Sequence, residues 1–318
     1  VREYDEVQAE LILSFQNRLV TISVAASFAA LALTVIFSRA LTRRITRLAE
    51  AIRVVRGGDY AHRLKPEGND ELTELCEEFN NMTQTLETTE QQRRRFVSDA
   101  SHELKTPITS IRVLADSLMG MEEVPVELYK EFMADISDEI DRETKIINDL
   151  LTLVKSDKAT TKLNISQVSI NNLLEQILKR LRPIAKKQNI ELVLENIREV
   201  TADVDETKLS LALSNLVENA IKYNREEGWV RVVLDADHKF FYVKVIDNGI
   251  GIPEELHERV FERFYRVDKA RSRETGGTGL GLSITKSIVQ MHNGALKLQS
   301  KEDEGTTFTV RIPLNYIS

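Results

Sequence analysis

At 318 residues the chain is too long for one ordinary domain and long enough for about two or three. A net charge of -7 argues against general nucleic-acid binding, which needs a basic footprint. Its single cysteine, Cys76, excludes an intramolecular disulfide and any cysteine-rich metal site. The histidines at 62, 102, 238, 257 and 292 show no ligand spacing, so no structural metal is expected.

Leu19 to Ser38 carry no charge and are nearly all apolar or small. At about 1.5 Å per residue, a helix of that length crosses a hydrocarbon core of about 30 Å. The other reading is a buried helix of a soluble domain. Arg18 flanks the stretch on one side, and Arg39, Arg43, Arg44 and Arg47 on the other. That excess of cations places residues after about 39 in the cytoplasm. The stretch lacks the early charged start and small-residue cleavage site of a signal peptide. Residues 1–18 then form an extracytoplasmic stub and 19–38 a transmembrane helix. A chain that opens on Val with so little outside the membrane reads as truncated, with its stimulus detector missing.

Leu41, Ile45, Leu48, Ile52 and Val55 recur at coiled-coil steps and stop at Gly57-Gly58-Asp59, where positive φ is cheap. A connector closes on Pro66-Glu67-Gly68-Asn69. Asp70 and Glu71 then open a second helix at its positive dipole end, with Leu72, Leu75, Phe79, Met82 and Leu86 in a narrow seam. Such a seam needs a partner helix, so residues 39–92 form a dimeric linker or a plain coiled coil.

Next, Val97, Ala100, Leu104, Ile108, Ile111, Ala115 and Leu118 mark one helical face. His102 is two residues from both Ala100 and Leu104, on the opposite side, and Thr106 shares its face. Pro107 cannot donate to the carbonyl of Glu103, which predicts a kink or a loosened turn beside the histidine. The helix ends near Gly120, and Met121 to Pro125 make a turn. A second helix runs from Val126 to about Ser156 with the stripe Tyr129, Phe132, Ile136, Ile140, Ile147, Leu150 and Val154. Two antiparallel helices cannot enclose a core, whereas two copies can, as a four-helix bundle. Residues 93–157 are therefore expected to form a homodimer that displays His102 on the outside.

Asp157 to Asn164 read as a hinge, and residues 163–316 as a mixed α/β domain. A helix from about Ile170 to Gln188 precedes a strand at Ile190 to Leu194, and a long helix reaches Tyr223. Strands follow at Trp229 to Leu234 and Phe240 to Ile246, then a helix from about Leu280 to Met291 and strands at Ala295 to Ser300 and Thr306 to Ile312.

Several stretches of this domain point to one ligand. Asn215 and Asn219 stand four apart with Lys222 and Tyr223 a turn further, so amide oxygens and an ammonium share a helix face. An amide carbonyl is a hard oxygen ligand suited to Mg²⁺. Asp247-Asn248-Gly249-Ile250-Gly251 follows a strand; its carboxylate can accept from an exocyclic amine, and its glycines let backbone approach a flat ring. Gly276-Gly277-Thr278-Gly279-Leu280-Gly281-Leu282 places bare amides before a helix N-terminus, an anion site.

These stretches carry a family resemblance. Phe96 to Pro107, with Ser-His-Glu-Leu-Lys-Thr-Pro at its centre, resembles the phosphoacceptor box of transmembrane sensor histidine kinases. Residues 39–92 resemble a HAMP linker, without the proline common early in its first helix, where Ile45 and Thr46 stand. Asn215 to Tyr223 resemble the N box of the ATP-binding fold shared by histidine kinases, Hsp90-type chaperones and DNA gyrase. Asp247 to Gly251 resemble the G1 box and Gly276 to Leu282 the G2 box. Phe261 to Arg266 resemble the F box, which contains Phe264, and Arg266 to Thr275 the lid. Gly305 to Phe308, including Thr307, resemble the last turn of that site.

The resemblance implies a multidomain chain: a transmembrane helix, an all-α coiled-coil and four-helix-bundle dimer region, and an α/β sandwich of the Bergerat (GHKL) type. It implies ATP, with Mg²⁺ held through Asn219, and a bacterial cell-membrane location in contact with the lipid bilayer. ATP would phosphorylate His102, with Glu103 accepting the ring's other N–H, and the phosphoryl group would pass to an aspartate of a cognate response regulator. Thr106 fits the His-Glu-x-x-Thr pattern of members that also dephosphorylate the regulator. Asn215, Lys222, Tyr223, Asp247, Gly249, Gly251, Phe264, Gly277, Thr278, Gly279, Leu280, Gly281 and Thr307 would bind the nucleotide. Two rivals stay open: a catalytically inactive dimeric docking receptor, and a GHKL ATPase without a phosphoacceptor.

Overall fold

The computed structural model describes residues 2–121, 124–156, 163–267 and 277–316. The chain divides into two compact units, Val1–Arg95 and Phe96–Ser318.

In the first unit, helix α1 (Arg2–Arg56) includes a stretch, Phe15–Arg56, long and apolar enough to cross a membrane. Val20, Ile22, Phe28, Leu31 and Phe37 all lie exposed along it. The hydroxyls of Thr21, Ser27 and Thr34 each donate to the carbonyl four residues back, so none needs water. The helix stops at Gly57, whose N–H reaches the carbonyls of Arg53 and Val54, and Gly58 turns left-handed at φ +99°.

Helix α2 (Glu71–Met119) opens after a connector that is pinned at two points. Asn80 both accepts from the Leu64 N–H (2.9 Å) and donates to its carbonyl (2.8 Å). Arg44 binds the carboxylate of Asp70 and the Glu67 carbonyl. Ala51, Val55 and Phe79 form a small core with Leu48, Tyr60 and Leu64. Of the expected seam, Phe79 is buried, while Leu75, Met82 and Leu86 remain exposed.

The second unit begins within α2, which runs through Pro107 without ending. Near the missing proline N–H, the hydroxyls of Thr106 and Thr109 donate to the carbonyls of His102 and Lys105. Helix α3 (Val126–Ser156) follows. The expected α3 stripe is only partly the buried face. Ile146 and Leu153, which lie off it, are buried, whereas Tyr129, Ile140, Ile147 and Val154 are exposed. A helix with apolar residues on two sides can bury only one of them within a single chain. Residues 122–123 of the expected turn and 157–162 of the expected hinge lie outside the described residues.

The α/β part is a helix layer on a sheet. Strands β1 (Ser166–Ser169) and β3 (Thr201–Val204) form a small antiparallel pair not foreseen from the sequence. Strands β2 (Glu191–Asn196), β4 (Trp229–Ala236), β5 (Phe240–Asp247), β6 (Ala295–Lys301) and β7 (Gly305–Pro313) form a five-stranded sheet. Its order is β2-β4-β5-β7-β6, with β2 parallel to β4 and the other pairs antiparallel. Helices α4 (Ile170–Lys187) and α5 (Glu206–Lys222) bury Leu174, Ile177, Leu209 and Leu213 against Val232, Phe241, Val243 and Val310.

Side chains set the helix starts. Ser169 caps α4 by accepting from the Asn172 N–H, and Asp205 caps α5 through the Lys208 N–H. Helix α6 (Gly281–Met291) has no side-chain cap. A second core joins Leu153 of α3 to Ala212 of α5 and Leu280, Ile284 and Ile288 around α6, with Phe96, Leu150 and Phe264 packed on it. Hairpin and α/β part therefore share buried surface.

Candidate functional site

The register of the central strands brings the site together. Asp247 ends β5 opposite Val230 of β4 on one side and Thr306 of β7 on the other. There it opens into a cleft of about 530 Å³. Helix α5 supplies one wall with Asn215, Asn219, Lys222 and Tyr223, and α4 the apolar Leu181 and Ile184. Gly277, Thr278, Gly279 and Gly281 close one end.

Asp247 is nearly buried, and burial pushes its carboxyl up to about 6, against the opposing pull of two backbone N–H groups. Those donors are Gly249 at 2.9 Å and Thr306 at 3.3 Å, both on Oδ1. Among the described residues that leaves Oδ2 as the acceptor for an amine in the cleft. The glycines after it serve the protein's own backbone first. A Cβ on Gly249 would lie 2.4 Å from the Tyr223 carbonyl oxygen, and Gly251, at φ +69°, would put one 2.0 Å from that of Lys301. Only Gly251 of the two lines the cleft.

The glycine loop and α5 meet at a cationic end. A Cβ at Gly277 would lie 2.4 Å from Lys222 Nζ, and the Asn215 amide donates to the Gly281 carbonyl at 3.3 Å. Burial lowers the Lys222 pKa, and the charges of Lys145 and Arg266 lower it further; the neighbouring Tyr223 opposes this. Lys145 and Arg266 also line the cleft. Three cations beside the uncapped N-terminus of α6 make an anion site on electrostatic grounds. Asn219 contributes an amide to the same wall. The described residues hold no group of three His, Cys, Asp or Glu side chains able to bind a metal. An ion here would take an oxygen of Asn219 and the rest of its ligands from phosphates, which suits Mg²⁺.

Four expected ligands stand behind the cleft. Leu280 is fully buried in the core shared with α3. Phe264, at φ +61°, backs the loop, its Cα 2.9 Å from where a Gly279 Cβ would be. Gly249 is occupied as described above. Thr307 is replaced by its neighbours, because Thr306 and Phe308 face the cleft and strand alternation turns the residue between them away. Of the expected lid, residues 268–275, with Gly276 of the glycine stretch, lie outside the described residues.

His102 is exposed on α2 and does not line the cleft. Thr106, also exposed, spends its hydroxyl proton on the His102 carbonyl at 3.1 Å. Glu103 faces the α/β part, and its Oε2 accepts from Arg266 Nη2 at 2.6 Å. Phe96 stacks at 5.9 Å on Phe264, and the Arg263 guanidinium lies 5.2 Å from the Phe96 ring. Asp149, four residues after Lys145 on α3, accepts from the Thr278 hydroxyl at 2.9 Å. Asp149 and Lys145 are not foreseen from the sequence, and Arg266 is read there only as part of the F box and lid. Their common signal, an i, i+4 charged pair and a basic residue next to an aromatic box, also describes an ordinary solvated face.

Residues 36–88 match the HAMP domain, 92–159 the His Kinase A (phospho-acceptor) domain, and 204–316 the histidine kinase-, DNA gyrase B- and HSP90-like ATPase. The chain is 38% identical over 231 residues to the sensor histidine kinase WalK of Bacillus subtilis, which covers 71% of this chain and 38% of WalK. It is 31% identical over 280 residues to the signal transduction histidine-protein kinase ArlS of Staphylococcus epidermidis, covering 88% of this chain and 61% of ArlS. It therefore spans well under half of the first relative and about three-fifths of the second. The fold is shared with the histidine kinase ThkA, solved in complex with the response regulator protein TrrA. That match has a TM-score of 0.57 at 23% identity and covers 72% of this chain and 66% of that one. Three domains matched in this order, together with such relatives, place the chain: it belongs to the sensor histidine kinases of two-component systems.

Proposed function

We propose that this chain uses ATP to phosphorylate His102 and passes the phosphoryl group to an aspartate of a response regulator. The observation that carries the reading is the Glu103–Arg266 bond, which ties the helix of the acceptor histidine to the wall of the nucleotide cleft.

The cleft's own residues account for binding. Asp247 Oδ2 accepts from the adenine amine, Leu181 and Ile184 cover the ring, and Lys222 with the amides of the 277–281 loop receives the phosphates. Mg²⁺ held by Asn219 and the phosphates would supply charge neutralisation, the main demand of phosphoryl transfer. A ring nitrogen of His102 forms a bond to the γ-phosphorus as the bond to the ADP oxygen breaks. The imidazole then carries positive charge, and the Glu103 carboxylate accepts its other N–H. In the reverse sense Thr106 orients the water that dephosphorylates the regulator.

The exposed apolar residues Ile108, Val113, Ile140, Ile147 and Leu151 support dimerisation of the hairpin into a four-helix bundle. The exposed apolar face of α1 and the arginines from Arg39 onward support a bacterial membrane anchor, with the later residues in the cytoplasm. Domain limits at 19–38, 39–92, 93–157 and 163–316 go with this reading.

Incubation of the full chain in detergent micelles with γ-labelled ATP and Mg²⁺, beside His102→Gln, tests it. Acid-labile, base-stable label on the wild type and none on the variant is expected. Label released only as free phosphate from both would replace this reading with the ATPase one. No turnover in either, with nucleotide still bound, would leave a docking receptor.

A further inference from the structure

Two carboxylates of the helical hairpin reach the phosphate end of the cleft from different helices. Glu103 on α2 accepts from Arg266, and Asp149 on α3 accepts from Thr278. Both donors line the cleft, Thr278 within the glycine loop and Arg266 across from Lys222. The Arg266 side chain is only 6% exposed, and its Nε is buried with no partner among the described residues. A buried guanidinium with an unused Nε donor beside Lys222 is short of an acceptor. Thr278, also buried, has committed its hydroxyl proton to Asp149 rather than to a ligand.

The hairpin side is poorly suited to keep this arrangement. Burial raises the Asp149 pKa, and Glu218 adds to the rise, while the Thr278 bond and Lys145 only partly offset it. A carboxylate held where its charge is disfavoured is a weak competitor for a triphosphate, which brings more negative charge to the same donors.

We propose that Asp149 and Glu103 stand in for nucleotide phosphate, so that the hairpin and a triphosphate compete for Thr278 and Arg266. The proposal rests on the ATP reading above. Triphosphate draws off both donors, which frees Glu103 to accept the N–H of His102 and unpins α3 from the glycine loop. The docked hairpin is thus a brake built from the groups that the nucleotide needs, and Asp149 is its lever, since it has no part in the transfer itself.

Calorimetric binding to the full chain in detergent micelles, with Mg²⁺, tests the brake using the non-hydrolysable triphosphate AMPPNP and, separately, adenosine. Asp149→Ala is expected to bind AMPPNP about tenfold more tightly, the scale of one charge-assisted hydrogen bond, with adenosine unchanged. Asp149→Asn keeps the shape without the charge and should fall between. If neither variant folds, Glu103→Gln reads the same competition at Arg266. Equal AMPPNP affinity in wild type and variants overturns the proposal and leaves the ATP reading intact. An equal gain for adenosine overturns it as well, because the cleft would have opened rather than lost a competitor. Failure of the wild type to bind either compound removes the ATP reading and this proposal together.

Discussion

In the α/β region the core side chains of α4 and α5 are closed off within one chain: Leu174 and Leu213 are fully buried. On α3, Ile147 stands 43% exposed and Leu151 52%. The main core of the first region closes within its own elements, while α3 presents a face that only another surface can cover. The difference separates substitutions that should unfold from those that should disassemble. Leu213→Ala leaves a cavity in a closed core and should cost about 2–5 kcal/mol, read as an earlier thermal melt of the α/β part. Ile147→Asp should leave that melt in place and weaken dimerisation at least about tenfold, because a charge would enter an apolar bundle. A dimer that survives Ile147→Asp, or an α/β melt lowered by it, would break the division.

The closed region also buries Asp247, the carboxylate proposed to read adenine. Burial raises Asp247 to about 6, so the fold prefers the protonated form. The stability from that preference is full below the unfolded value of about 3.9 and is lost as pH rises through about 6. On the proposed reading nucleotide affinity runs the opposite way, since a carboxylate accepts the adenine amine best with its proton removed. Affinity for ATP should fall up to about tenfold per pH unit below 6, while Asp247→Asn should bind weakly at every pH and lose the dependence. Titrating ATP binding from pH 4.5 to 7.5 checks both. An unchanged slope in Asp247→Asn would assign the dependence elsewhere.

The same contrast explains what could be read from sequence. Helices α4, α5 and α6 and the sheet strands after Trp229 were legible, because a core closed within one chain imprints its period on that chain. The glycine loop and Asn219, singled out by residue type and spacing, come together at the cleft. Strands β1 and β3 were not: each is four residues long, and three of the four in β1 are polar, so no alternation stands out. The side of α3 buried within the chain differs from the stripe read for a bundle of two copies, because Leu153 on that other side packs with α6. Thr306 and Thr307 are chemically identical, and only register with Asp247 decides which faces the cleft.

A smaller effect probes how completely the closed region satisfies its polar groups. His292 is buried at the end of α6, where Nδ1 donates to the Ile288 carbonyl at 2.8 Å and Nε2 accepts from the Asp205 N–H at 3.0 Å. An imidazole that accepts at one nitrogen must be neutral. Burial lowers its pKa, and Lys208 adds to this, while the Ile288 carbonyl and the Asp205 carboxylate oppose it. The folded state therefore resists a proton that the unfolded chain takes up below about 6.5. Stability should fall as pH drops below that value, by at most about 1.4 kcal/mol per pH unit. Asp247 works against it between about 4 and 6, where its own protonation restores stability, so the wild-type acid loss should be shallower in that window. Asp247→Asn removes the compensation and should expose a steeper acid loss, whereas His292→Gln, less stable at pH 7, should gain stability on acidification. Parallel curves for the two variants would mean that neither group sets the pH response of this core.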